Sequence, residues 1–402
     1  MQRSFWQAGH TPTLLCAFLY FDLSFMVWYL LGPLQVQIAQ DLHLDTQQRA
    51  LMVATPILCG AILRLFMGTL ADRIGAKRAG VLAQIVVICA LLVAWQTGLH
   101  SFSQVLLFGV FLGVAGGSFS IALPLASRWY PPEHQGTAMG IAGAGNSGTV
   151  FAALLAPVLA IAFGWQNVLG LASVPLIITL LAFVTLAKDA PVRVQRKGLR
   201  DYTRVLLGNR DSWWFMLFYS VTFGGFSGFA SALPGYFHDQ FGFDAKVAGW
   251  ATAACVLAGS AMRPVGGVIA DRIGGTRTLL TVYLLTAITV GGAAAGLGGP
   301  LVTVALFVMT MLCLGAGNGA VFQLVPQRFG SEIGLMTGLI GMAGGIGGFF
   351  LAAGLGVVKQ QSGSYAPGLW LFATVSLLAW ASLSGIKQHW RSHLAVSGAA
   401  RV

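Results

Sequence analysis

Charge is what this sequence has least of. Only 9% of its 402 residues are Asp, Glu, Lys or Arg, and just 12 of those are acidic. A water-soluble chain carries about a quarter of its residues as charges, so a soluble globular protein is excluded. Cysteine is sparse too. Cys16, Cys59, Cys89, Cys255 and Cys313 are odd in number, form no C-x-x-C and lie within apolar runs. Neither a disulfide framework nor a metal site is implied, and they are expected to be small core residues. No metal-ligand cluster, nucleotide-binding loop or nucleophile–base pair can be assembled, which argues against an enzyme and leaves no cofactor to expect. None of the seven histidines lies deep in an apolar run, so a histidine proton relay is excluded as well.

Apolar residues make up 56% of the chain. They fall into continuous runs of about 20 residues, enough to cross a hydrocarbon layer ~30 Å thick. Continuous rather than alternating runs mean helices, which satisfy their own backbone in lipid. The first run, Thr13 to Leu34, is too long for a cleaved signal peptide and has no small-residue cleavage site. Twelve transmembrane helices are expected, near 12–35, 47–72, 78–97, 102–127, 136–163, 166–187, 212–237, 246–271, 278–297, 300–325, 333–358 and 367–387. The class is therefore an all-α integral membrane protein.

A net charge of +11 would suit nucleic acid, but its placement argues against that. Of 23 Lys and Arg, 18 fall on one side of the spans, among them Arg3, Arg73, Arg128, Arg272, Arg328, Arg401 and seven between 188 and 211. Arg49, Lys246 and Lys359 fall on the other. The positive-inside rule then puts both termini and the 188–211 loop in the cytoplasm, with the lipid bilayer as the partner of the apolar surface. The two remaining basic residues, Arg64 and Arg263, lie inside the membrane.

Those two arginines open matching segments. R-L-F-M-G-T-L-A-D-R-I-G at 64–75 recurs as R-P-V-G-G-V-I-A-D-R-I-G at 263–274, half a chain later. Two six-helix halves follow, 1–187 and 212–402, joined by a basic linker at 188–211, and solute sites in duplicated carriers lie between such halves. The repeated G-x-x-x-D-R-x-G element resembles the loop motif of the major facilitator superfamily. That resemblance implies a major facilitator fold, in which Gly68, Asp72, Arg73 and their copies Gly267, Asp271, Arg272 help set which side is open.

Arg64 and Arg263 each precede the motif aspartate by eight residues, about 12 Å of helix, which brings them near the midplane. A charge there costs ~2.5–3.5 kcal/mol even on lenient scales, and arginine does not escape by losing its proton. Each could pair with a buried acid, but only Asp22 is available at similar depth. One acid for two arginines leaves a net positive chamber, and the guanidinium fork suits a planar oxyanion.

Asn146 stands among Gly140, Gly143, Gly145 and Gly148, and the eleventh helix is equally rich in glycine. For most of these glycines close helix packing is sufficient reason. In combination with the arginines and G-A-G-N-G-A-V-F at 315–322, they resemble the nitrate/nitrite porter family, the NarK/NasA-type branch. The resemblance implies that Arg64 and Arg263 clamp the anion, that Asn146 and Tyr219 donate hydrogen bonds, and that Phe119 and Phe223 stack on its flat faces. It also implies transport of nitrate or nitrite by alternating access, by a monomer in the cell inner (plasma) membrane. Asp22 has two readings. If burial keeps it protonated it couples uptake to protons, and if an arginine holds it ionised it is structural. Nitrate/nitrite antiport and proton-coupled nitrate uptake both stay open. A carrier for another small anion, such as a monocarboxylate, would use the same arginines without needing Asn146. A transporter-like receptor would need a soluble signalling domain, for which neither terminus is long enough.

Overall fold

The computed structural model describes residues 5–191, 199–329 and 333–395. Arg3, Arg193, Arg196, Lys197 and Arg401, assigned above to the basic face, lie outside the described residues. Among those described are 12 helices long and apolar enough to cross a membrane. Spans 1 to 6 are Thr11–Asp41, Thr46–Ile74, Ala76–Thr97, Phe102–Ser127, Ala138–Phe163 and Trp165–Leu186. Spans 7 to 12 are Arg210–Phe241, Ala245–Ile273, Gly275–Ala294, Pro300–Arg328, Leu335–Ser362 and Ala366–Lys387. No strand occurs among the described residues. Leu107, Ile161, Ile178, Leu181, Ile288, Phe350 and Leu378 are exposed outward, a surface suited to lipid rather than water. Cys89 is exposed there and Cys59 half-buried, whereas Cys16, Cys255 and Cys313 are core residues.

The repeat is visible in how its two copies begin and end. Span 2 starts with the Asp45 carboxylate accepting from the Gln48 N–H at 2.7 Å, and span 8 with Asp244 accepting from the Val247 N–H at 2.7 Å. Each acid satisfies one orphan donor of the first turn. Each span then stops at a glycine with positive φ, Gly75 at 95° and Gly274 at 97°, a conformation that a side chain resists. The next span leaves at once from that residue.

Several boundaries differ from the apolar pattern. Span 1 extends to Asp41 and is broken at Tyr29–Leu30, where Pro33 follows and its ring clashes with the carbonyl four residues earlier. Span 4 is broken at Gly117–Ser118, and span 5 contains a 3-10 turn, Ala144–Ser147. Gly, Asn and Ser are poor helix formers, and here they tighten the helix where it meets span 1. The 188–211 linker is not wholly irregular. It carries a helix, Leu199–Gly208, whose Tyr202 and Val205 are buried while the polar residues between them face outward.

Across the two sets of six, span 2 packs along span 11, span 8 against span 5, and the second segment of span 1 against span 7. Arg64 of span 2 and Arg263 of span 8 lie among these contacts.

Candidate anion-binding site

Arg64 is 2% exposed, and among the described residues no carboxylate neutralises it. Its Nε donates to the Gly116 carbonyl of span 4 at 3.1 Å and its Nη1 to the Gly341 carbonyl of span 11 at 2.7 Å. A methyl on Gly341 would sit in ordinary contact with Nη1, at 3.5 Å, whereas one on Gly116 would collide with the Trp28 indole. The Arg64 guanidinium carbon lies 5.1 Å from the Trp28 ring, 5.4 Å from Phe119 and 5.0 Å from Phe223. Aromatic faces attract a desolvated cation by up to ~2 kcal/mol each, so carbonyls and rings stand in for the missing acid. The third nitrogen, Nη2, is buried with no hydrogen-bond partner among the described residues.

Arg263 is held differently. Among the described residues its Nη2 meets only the Tyr219 hydroxyl, at a long 3.5 Å, and its buried Nη1 has no hydrogen-bond partner. Its guanidinium carbon stands 5.9 Å from the Phe119 ring and 5.5 Å from Phe322. Phe119 therefore lies within cation–π range of both arginines. The two differ in their access to open space. A cavity of about 490 Å³ reaches Arg263 and Phe119, and runs past Ser260, Gly267 and Gln323 to Asp271 at the face bearing the 188–211 segment. Arg64 does not line it; Gly116 and Gly341 clasp it behind Phe119.

Tyr219 and Phe223, one turn apart on span 7, stack with centroids 5.2 Å apart and planes within 4°. Gly344 makes room for them, since a methyl there would sit 2.7 Å from Tyr219 and 2.9 Å from Phe223. Phe322 stands edge-on to Tyr219 at 5.1 Å and lies 6.1 Å from Phe119. Sequence reasoning missed its contact with Arg263, although Phe322 ends the glycine-rich segment quoted above. Trp28 carried no sequence signal, and it reaches Arg64 only because Gly60 and Gly116 leave its indole room.

Asn146 is 2% exposed and its Oδ1 has no partner. It belongs to the 3-10 turn that packs on both span 1 and span 8, and its neighbours Gly143 and Ala144 line the cavity. Asp22 is 4% exposed. It pairs with neither arginine and instead accepts from the Ser147 hydroxyl at 2.6 Å. The backbone of span 1 at Asp22 lies hard against Gly148, leaving no space for a side chain there.

The two motif copies have unlike surroundings. Asp72 is paired with Arg128, the residue that caps the end of span 4, at 2.7 Å, while Asp271 and Arg272 are exposed and Gly267 lines the cavity. Arg328, near the end of span 10, reaches Asp211 at the start of span 7 at 2.5 Å. Arg73 is exposed. The Tyr202 hydroxyl lies 3.3 Å from where a Gly68 methyl would be, and the ring also covers Gly338 of span 11. Burial, with Asp72 beside it, pushes that hydroxyl up to about 12, so it plugs the gap as a neutral group.

At the opposite face the first six spans are tied to the last six. Arg49 of span 2 forms a forked ion pair with Asp239 of span 7. The Tyr365 hydroxyl donates to the same carboxylate at 2.6 Å and lies 3.3 Å from Arg49. About two turns deeper along span 7, the Gln35 amide donates to the Ser231 carbonyl at 2.9 Å. The protein is thus shut at this face and open, beside span 8, at the other.

Residues 16–352 match the family model described as Major Facilitator Superfamily. The chain belongs to that superfamily. It is a multi-pass membrane transporter. A Bacillus subtilis (strain 168) relative called "Nitrite extrusion protein" is 32% identical over 375 residues, covering 92% of each chain. "Probable nitrate/nitrite transporter NarK2" of Mycobacterium tuberculosis is 33% identical over 363 residues, 89% of this chain and 91% of the relative. Solved transporter structures share the fold at low identity. The crystal structure of a point mutant of the nucleoside transporter NupG superposes with TM-score 0.73 at 14% identity, covering 93% of this chain and 99% of that one. A bacterial homolog of the human lysosomal transporter Spinster, in an inward-facing and occupied conformation, gives 0.71 at 17%, covering 94% and 97%.

Proposed function

We propose that this transporter carries nitrate and nitrite across the inner (plasma) membrane, with both termini in the cytoplasm, by alternating access. The observation that carries the reading is the pair of midplane guanidinium groups, unneutralised by any carboxylate among the described residues and gathered about Phe119. A planar, weakly hydrated monoanion supplies the missing charge, offers oxygens to the vacant Arg263 Nη1 in the cavity and, as the halves close around it, to the vacant Arg64 Nη2, and fits between aromatic faces. Asn146 and Tyr219 add donors in the plane, and Phe119 and Phe223 flank it. The names of the relatives point to the same substrates.

Residues 1–187 and 212–402 are the two rocking halves, with 188–211 between them. The motif copies act on the cytoplasmic side, Asp72 through Arg128 and Gly68 as the seat of Tyr202, while Asp271 stays at the mouth of the cavity. On this orientation the cavity opens inward and the Arg49–Asp239–Tyr365 cluster closes the outer side. Asp22, which no cation among the described residues holds ionised, favours proton-coupled uptake over exchange alone.

Reconstitution in proteoliposomes tests this. Labelled nitrate uptake should be saturable, should accelerate with nitrite inside, and should respond to an imposed pH gradient. Uptake driven by lactate or formate counterflow but not by nitrite would overturn the substrate; indifference to pH would remove the proton.

A further inference from the structure

Ser260 lies one turn before Arg263, and residues three apart share a helix face. Its Oγ is buried and has no hydrogen-bond partner among the described residues, although it lines the cavity together with Arg263. Hydroxyls within such helices usually bond to a carbonyl three or four residues back. In this chain Thr55, Thr69, Ser220, Thr252 and Ser376 do so. Ser260 does not. The hydroxyls of Ser118, Thr222, Thr276 and Thr286 also lack partners, but none of these residues lines the cavity.

A buried polar group left unsatisfied costs ~1–3 kcal/mol, and Ser260 Oγ and Arg263 Nη1, both without a partner among the described residues, belong to side chains that line one space, as does Gln323 with its unpartnered Oε1. The 3-10 turn of Asn146 packs on this same helix, span 8, and its Ala144 lines the space as well. The repeat sharpens the point. Ala61 occupies the corresponding place in span 2, and its methyl is packed against Gly345 of span 11. The hydroxyl is thus present only in the copy whose arginine is open to the cavity.

We infer that Ser260 is a substrate-binding residue, its hydroxyl donating to an oxygen of the planar oxyanion that Arg263 holds. This rests on the anion-carrier reading above. The clamp is then asymmetric: Arg64 is a fixed anchor behind Phe119, while Arg263 and Ser260 form the open jaw that an anion meets on entering from the cavity.

The test is nitrate uptake kinetics of the full chain in proteoliposomes. Ser260→Ala should raise KM for nitrate about tenfold, the scale of one hydrogen bond to a charged group, with the maximal rate near wild type. Ser260→Thr, which keeps the hydroxyl, should recover most of that loss. Thr286→Ala, which removes an equally unpartnered hydroxyl away from the cavity, should leave KM unchanged. A wild-type KM in Ser260→Ala overturns the inference while sparing the carrier reading. Equal losses in the Ala and Thr variants also overturn it, because volume rather than the hydroxyl would then be responsible. No saturable nitrate uptake by the wild type would refute the carrier reading itself, and the role of Ser260 with it.

Discussion

Replacing each midplane arginine by lysine should separate holding an anion from holding the fold. Lysine keeps the charge but substitutes a single tip for a planar fork. At Arg263 the fork is nearly idle without substrate, with one 3.5 Å contact to Tyr219 and one vacant nitrogen. Arg263→Lys should therefore unfold at almost the wild-type temperature. It should bind nitrate more weakly by ~1.5–3 kcal/mol, about 10- to 150-fold, for the loss of one charge-assisted hydrogen bond. At Arg64 the fork already spans the Gly116 and Gly341 carbonyls. Lysine can serve at most one of them well, and the carbonyl left over costs ~1–3 kcal/mol. Arg64→Lys should thus lower both thermal stability and affinity. Thermal unfolding in detergent, with and without nitrate, reads both quantities in one assay. Wild-type nitrate stabilisation of Arg263→Lys would refute the clamp. Equal losses of apo stability in the two variants would refute the division into anchor and jaw.

Asp22→Asn should abolish the response of uptake to a pH gradient while sparing nitrate–nitrite counterflow; unaltered pH dependence removes the coupling role. Asn146→Ala should weaken nitrate binding by ~0.5–1.5 kcal/mol, measured by the same nitrate-induced thermal shift, and an unchanged shift would exclude it from the site. Gly344→Ala should push apart the Tyr219–Phe223 stack, against which its methyl would lie 2.7–2.9 Å away. Transport should fall steeply without loss of expression, and normal kinetics would mean that the stack is dispensable. Asp239→Asn should loosen the closed face. In an Ala232→Cys background this reads as faster labelling by an impermeant thiol reagent added from that side, and labelling at the unmutated rate would show that the ion pair is not what shuts it.

Local signals carried the fold. Span count follows from run length against membrane thickness, and the Asp72 and Asp271 segments revealed the repeat without any structure. Helix ends were harder to read. Span 1 continues to Asp41 through polar residues such as Gln35 and Gln37, because neighbouring spans rather than lipid surround this part; Gln35 reaches Ser231. The amphipathic Leu199–Gly208 was hidden inside a segment read only for its charge.

What the sequence determined by itself was an inventory with depths: two permanent cations eight residues before their motif aspartates, one buried acid, and a lane of glycines on spans 5 and 11. Depth follows from a constant rise per residue, so it needs no partner. Only the tertiary structure decided how those charges are answered. Arg64 is held, with one nitrogen to spare, by carbonyls 52 and 277 residues away, Asp22 by a hydroxyl 125 residues away, and Arg49 by an acid 190 residues away. Which carbonyl or ring faces a given side chain depends on the rotation and spacing of neighbouring helices. Those are set by the whole packed bundle and leave no mark at any one position.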